Sequence, residues 1–227
     1  MADDDWYRRT TWTPEFEREF EDRLSRSRGQ RGEYLRIQAW TLASSGDPGS
    51  ARHAITLAQR YLEENHRALF TAQAHHVVAL ASTLLGDNDA AIAAYRRAVA
   101  SHRATPNAHG LEYVDFAWFA ATQRRKDLYA EVTDAMRRDF VEGDLLFPAT
   151  QYKYFGALAM ISSDFGDAGY AGEMARRALA AAASTHSGLS RHPTAGLVRG
   201  GHDEVRKRLE RLAVEQAHPG DGPGGVG

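Results

Sequence analysis

Histidines are the side chains of this chain with the widest chemical range, because an imidazole can bind a metal ion or exchange a proton near neutral pH. Ten are present. Three of them, His186, His192 and His202, lie in or beside a stretch rich in glycine and serine, and Asp203 follows the last. A His-Asp pair can bind a metal ion, but such a site needs further ligands from other helices. We expect Asp203 to stabilise the start of a helix instead, and we predict no metal ion and no cofactor.

The other reactive side chains form no recognisable catalytic set. His75 and His76 are adjacent on a predicted helix, so their rings point about 100° apart and cannot hold one metal ion together. The chain has no cysteine, which excludes disulfides, thiolate metal sites and cysteine nucleophiles. The sequence therefore predicts no enzyme. The loop at 184–202 is the place where a small-ligand site or, less favoured, a catalytic site would lie.

Composition narrows the class of protein further. The chain has 227 residues, 28 basic and 30 acidic side chains, a net charge of −2 and 43% hydrophobic residues. These values are typical of a soluble globular protein and argue against a dedicated nucleic-acid binder. Because no apolar run is long enough for a membrane helix and the first residues are acidic rather than apolar, we expect a cytoplasmic protein that does not contact a membrane.

A repeat with a period of 40 residues organises most of the chain. Gly46-Asp47, Gly86-Asp87 and Gly166-Asp167 fall at the same place in the first, second and fourth windows, and Lys126-Asp127 occupies that place in the third. The four windows are 31–70, 71–110, 111–150 and 151–190. The register continues through the third window without an insertion, although that window lacks the glycine.

Each window is predicted to form two helices joined by a tight turn. Apolar residues recur at helical spacing on both sides of the junction. The glycine ends the first helix, since it adopts a left-handed conformation without steric cost, and the aspartate caps the second. Alanine columns such as Ala51, Ala91 and Ala171 let the two helices approach closely where they cross.

Segments outside the repeat are expected to cover its ends. Residues 1–30 are predicted to form a strap and a capping helix at 14–28, followed by the repeats at 31–183. A loop at 184–201, a second capping helix at 202–216 and a disordered tail at 217–227 follow. Trp6, Tyr7 and Trp12 in the first segment could serve a docking arm, but we favour a strap, because aromatic side chains are costly to leave in water.

The four windows resemble the tetratricopeptide repeat (TPR). The second matches best, through Ala79, Gly86-Asp87, Ala91, Tyr95 and Ala98. The usual TPR has about 34 residues, so this is a long variant, similar to the helical sensor and peptide-binding arrays of bacterial regulators. The resemblance implies an all-α fold, a right-handed α-solenoid of four helix pairs with flanking helices.

The resemblance also implies a concave groove that is lined by the first helix of each pair. The corresponding positions in this chain are Glu33, Arg36, Trp40, Gln73, His76, Leu80, Tyr113, Phe116, Lys153 and Met160. Such a mixture of basic, aromatic and apolar groups suits an extended peptide or a partner helix. The alternative for Trp40, Phe116 and Met160 is that they are core residues between adjacent helices.

We therefore predict an adaptor or scaffold subunit that binds a protein or peptide and that could also form homo-oligomers. The alternative is a sensor of a small ligand or signalling peptide. Arg97, Arg137 and Arg177 share one column of the second helices and could form a basic ridge, although a solvated helix face is the favoured interpretation.

Overall fold

The computed structural model describes residues 5–64, 67–105, 110–141, 143–200 and 202–215. These residues contain helices and loops but no β-strand. The α-helices are α1 (Pro14–Arg26), α2 (Arg31–Ser44), α3 (Pro48–Glu63), α4 (Thr71–Leu84), α5 (Asn88–Ala104), α6 (Glu112–Thr122), α7 (Tyr129–Asp139), α8 (Pro148–Asp164), α9 (Ala168–Ala182) and α10 (Asp203–Glu215). Short 3-10 helices at Ala68–Phe70 and Lys126–Leu128 precede α4 and α7. The predicted all-α class is confirmed.

Every window holds one helix pair, and α1 and α10 lie where the flanking helices are predicted. The pairs are α2 with α3, α4 with α5, α6 with α7, and α8 with α9. The third pair is the shortest, with 11 residues in each helix. The predicted tail at 217–227 and the first four residues of the predicted strap lie outside the described residues.

The turns within the pairs show why the junction recurs in the sequence. Gly46, Gly86 and Gly166 have φ angles of 75°, 74° and 86°, a region that other residues adopt only with strain. The carboxylate of Asp87 accepts a hydrogen bond from the backbone N–H of Ala90 at 3.0 Å, which caps α5. The other two aspartates cap α3 and α9 in the same way.

The third window builds its turn differently, because it has no glycine at the junction. Arg124, two residues before the junction, takes the left-handed conformation, with a φ of 53°. A 3-10 turn at Lys126–Leu128 then leads into α7. The register of the repeat is therefore kept at the cost of a less favourable backbone conformation at one arginine.

The chain divides into two compact units, residues 1–112 and 113–227. In unit 1, α4 packs against α2, α3 and α5. The core of unit 1 includes Phe20, Leu24, Leu35 and Leu42, each with no exposed surface. This boundary lies at the start of the third window, and the four repeats at 31–183 stay a prediction.

The aromatic side chains of the N-terminal segment pack on unit 1. The ring centroid of Trp6 lies 4.8 Å from that of Tyr34 of α2 and 5.3 Å from that of Phe20 of α1. The ring centroids of Trp12 and Phe16 are 5.2 Å apart. These contacts agree with the strap and not with a free arm.

In unit 2, α8 pairs with α9, and α10 packs against both. Leu209 of α10 is fully buried. The Arg208 guanidinium donates to the Asp164 carboxylate at 3.1 Å and to the backbone carbonyl of Met160 at 3.3 Å. The helix α10 thus contacts both helices of the last pair, α8 and α9. In the same way, α4 contacts both helices of the first pair, α2 and α3.

None of the helices in the described part of the chain combines the length and apolar character that crossing a membrane requires.

Candidate partner-binding surface

The predicted groove residues of the first two windows lie on neighbouring helices, because α2 and α4 are in contact. The Arg36 guanidinium donates to the side-chain oxygen of Gln73 at 2.7 Å and to the Glu33 carboxylate at 2.5 Å. It also lies over the ring of Phe70, 4.3 Å from the ring centroid. Arg36 therefore connects three groups along one side of the two helices.

One turn further along, the same two helices meet through aromatic rings. The ring centroids of Trp40 and His76 are 5.6 Å apart, and His76 continues to Tyr95 of α5 at 6.0 Å. His76 is buried, with 4% of its surface exposed, whereas Trp40 and Leu80 are half-buried at the edge of the core. The side chain of Trp40 is thus accessible on one side and supported on the other.

We call this region the α2–α4 surface, and its accessible members are Glu33, Arg36, Trp40, Gln73 and Leu80. It combines a cation, a carboxylate and an amide with two apolar side chains. The Arg36–Glu33 pair joins positions i and i+3 of one helix, and Glu33 keeps 44% of its side chain exposed. Arg36 itself keeps only 15% of its side chain exposed, so a partner carboxylate reaches the guanidinium by displacing the more exposed Glu33.

The remaining predicted groove residues of aromatic or sulfur type are core residues. Tyr113, Phe116 and Met160 expose 2%, 1% and 0% of their surface. The Tyr113 hydroxyl donates to the Asp144 carboxylate at 2.6 Å, and burial together with this hydrogen bond raises the pKa of the phenol. These three residues and His76 stabilise their own units, and their side chains are closed to a partner in this structure.

Lys153 is the last of the predicted groove residues, and it contacts the preceding first helix. Its ammonium group donates to the Asp115 carboxylate of α6 at 2.6 Å, with 32% of the lysine and 13% of the aspartate side chain exposed. Lys153 occupies the column of Gln73, so in both units the residue of this column bonds to the first helix of the preceding window.

His202 lies near Lys153, at the start of α10. Its ring packs between Trp118 and Tyr152, with centroid distances of 5.6 and 5.8 Å. Burial lowers the pKa of His202, the positive charge of Lys153 lowers it further, and Asp203 opposes the shift. The neutral imidazole is therefore the favoured form, and it joins α6, α8 and α10.

The other two histidines of the predicted loop site have local roles. Nδ1 of His186 accepts a hydrogen bond from the backbone N–H of Gly188 at 2.9 Å, and the Ser187 hydroxyl donates to the carbonyl of His192 at 2.7 Å. Among the described residues, no group of three or more histidine and carboxylate side chains is placed to hold a metal ion.

Two members of these contact networks were not predicted from the sequence. Phe70 lies directly before α4, and Asp115 lies two residues after a predicted groove position, so both are outside the columns taken from the repeat. A search for aromatic residues immediately before the first helix of a pair would have identified Phe70.

Comparisons of the chain with protein-family models, with curated proteins and with solved structures found no match.

Proposed function

We propose that this chain is an adaptor or scaffold subunit that binds a protein or peptide on the α2–α4 surface. The observation that carries the proposal is the contact of α2 with α4, through which Arg36 bonds to Gln73 and Trp40 packs on His76. Residues that the repeat register assigns to one groove are thereby neighbours in unit 1.

The chemistry of the surface defines the partner that it suits. Trp40 and Leu80 provide apolar contact area beside the core, and tryptophan and arginine are the residues that most often dominate binding energy at protein interfaces. Arg36 offers a planar group of donors to a carboxylate. A peptide or helix that presents an apolar side chain next to an acidic one would satisfy both.

The proposal includes a finer fold assignment. The 40-residue period, the glycine turns and the contacts of α4 with both helices of the preceding pair support TPR-like repeats. The right-handed α-solenoid of four pairs stays a prediction, and so does the cytoplasmic location.

Affinity capture from the source cells tests the proposal. We expect the wild-type chain to retain a specific protein that the Trp40→Ala and Arg36→Glu variants retain at least about tenfold less, since a central aromatic or arginine side chain contributes about 2 kcal/mol or more to binding. Circular dichroism of each variant checks that the helices are intact.

Arg52→Glu is the matched control, because Arg52 is an exposed arginine of α3 outside this surface. Retention of the same protein by the Arg52→Glu variant and its loss from both surface variants would support the assignment. Equal retention by all variants, or no specific protein with the wild type, would contradict it.

A further inference from the structure

An open, shallow cavity of unit 1 lies between the end of α1 and the start of α2. Its volume is about 570 Å³ and it is open to solvent, so a ligand there would stay partly exposed. Its lining consists of Trp6, Arg23, Arg26, Ser27, Arg28, Gly29, Gln30 and Tyr34. Three arginines and two aromatic rings therefore share one cavity, and none of its described lining residues is acidic.

Two of the three arginines, Arg26 and Arg28, have at most an exposed carboxylate partner among the described residues. Arg23 pairs with Glu19 at 2.9 Å, and Arg26 pairs with Asp22; both are pairs within α1 at positions i and i+4. Arg28 has no carboxylate partner among the described residues. The Arg26–Asp22 pair is exposed and lies within one helix, so it is weak, and Arg28 is available to an anion.

The aromatic wall orients one of these arginines. Arg23 lies 5.5 Å from the ring centroid of Trp6, and the rings of Trp6 and Tyr34 are 4.8 Å apart. Trp6 packs on Phe20, which is fully buried. The wall is therefore fixed to the core of the unit, and it offers a planar or apolar group a surface beside the cations.

We propose that this cavity binds a small organic phosphate, a phosphate monoester carried on a planar or apolar group. A phosphate monoester has nearly two negative charges at neutral pH and three terminal oxygens, and arginine matches this geometry with paired donors. A single carboxylate would offset Arg28 alone, whereas a dianion also attracts Arg26.

This site is separate from the α2–α4 surface, and its failure would leave the proposed partner binding unaffected. The sequence contains a signal for it, because Arg23, Arg26, Arg28 and Arg31 fall within nine residues. The fourth of them is engaged elsewhere, since Arg31 donates to Glu64 at 2.7 and 2.8 Å.

Titration calorimetry of the full chain with phenyl phosphate tests the assignment, with inorganic phosphate and phenol as probes of the two halves of the ligand. We expect phenyl phosphate to bind with a dissociation constant of about 1 mM or lower. Inorganic phosphate should bind more weakly, and phenol should give no measurable heat of binding.

The Arg26→Ala/Arg28→Ala variant should bind phenyl phosphate at least about tenfold more weakly, because it lacks two charged donors. The Arg18→Ala variant is the matched control, since Arg18 is an exposed arginine of the same helix outside the cavity, and it should bind as the wild type does. The proposal is overturned if the wild type does not bind phenyl phosphate, if the double variant binds it unchanged, or if phenol binds equally well.

Discussion

His202 illustrates how a single side chain can couple the stability of a unit to pH. Its ring packs against Trp118 of α6 and Tyr152 of α8, while the residue itself leads into α10. The charged groups that act on it are Lys153 of α8, which disfavours protonation, and Asp203 of α10, which favours it. Burial has the largest effect and lowers the pKa of the imidazole.

The lowered pKa predicts that unit 2 loses stability in mild acid. When the pH falls through the ordinary histidine value of 6.5, the unfolded chain takes up a proton more readily than the folded chain, so the free energy of unfolding decreases. Urea unfolding at about pH 7.5 and about pH 5.5 should show this decrease in the wild type and a smaller one in His202→Gln.

The matched control is His192→Gln, because His192 is exposed. The His192→Gln variant should keep the pH dependence of the wild type. His75, whose pKa is also lowered by burial, contributes to the pH dependence in both variants. An unchanged pH dependence in His202→Gln would refute the role of this ring.

At the scale of elements, Gly156 determines how closely α8 approaches its neighbours in unit 2. A Cβ atom at this position would lie 2.8 Å from Cζ3 of Trp118 on α6 and 3.5 Å from Cδ1 of Leu209 on α10. Both neighbours are buried, Trp118 with 9% and Leu209 with 0% of its surface exposed. The glycine therefore permits a close contact that no other residue allows without movement.

Gly156→Ala should accordingly destabilise unit 2, although alanine favours a helix. The steric cost of overpacking is about 1–3 kcal/mol, against a gain of about 1 kcal/mol in helix propensity. Chemical denaturation should therefore show a net loss of up to about 2 kcal/mol.

The double variant Gly156→Ala/Trp118→Phe separates packing from propensity. The smaller ring of phenylalanine removes the contact at Cζ3, so adding Gly156→Ala to Trp118→Phe should be neutral or stabilising. If Gly156→Ala is equally destabilising in both backgrounds, the contact with Trp118 is not the cause.

For the whole molecule, the positions of the helices follow from the sequence far better than their exposed faces do. The Gly-Asp junctions and the apolar period place the helix pairs, because both features act within a few residues of chain. The sequence does not indicate which face of α6 is exposed. In this helix Val114, Phe116, Ala117 and Phe119 are all buried, and a pattern that is apolar on nearly every side does not indicate which side faces solvent.

The α2–α4 surface was predictable from the sequence only in part. Arg36 and Gln73 are polar residues between apolar ones, which indicates an accessible side, although Gln38 of α2 is also polar and is fully buried. The stacking of Arg36 on Phe70 and the pairing of Lys153 with Asp115 depend on contacts between different windows. The period alone does not give these contacts, nor the division of the chain after residue 112.

Site-specific photo-crosslinking in the source cells measures partner binding at the α2–α4 surface most directly. A photoreactive residue replaces Glu33 in one variant and Thr56, an exposed residue of α3, in the other. The account predicts a protein adduct from position 33 and none from position 56. An adduct from position 56 alone, equal adducts from both, or none from position 33 would contradict it.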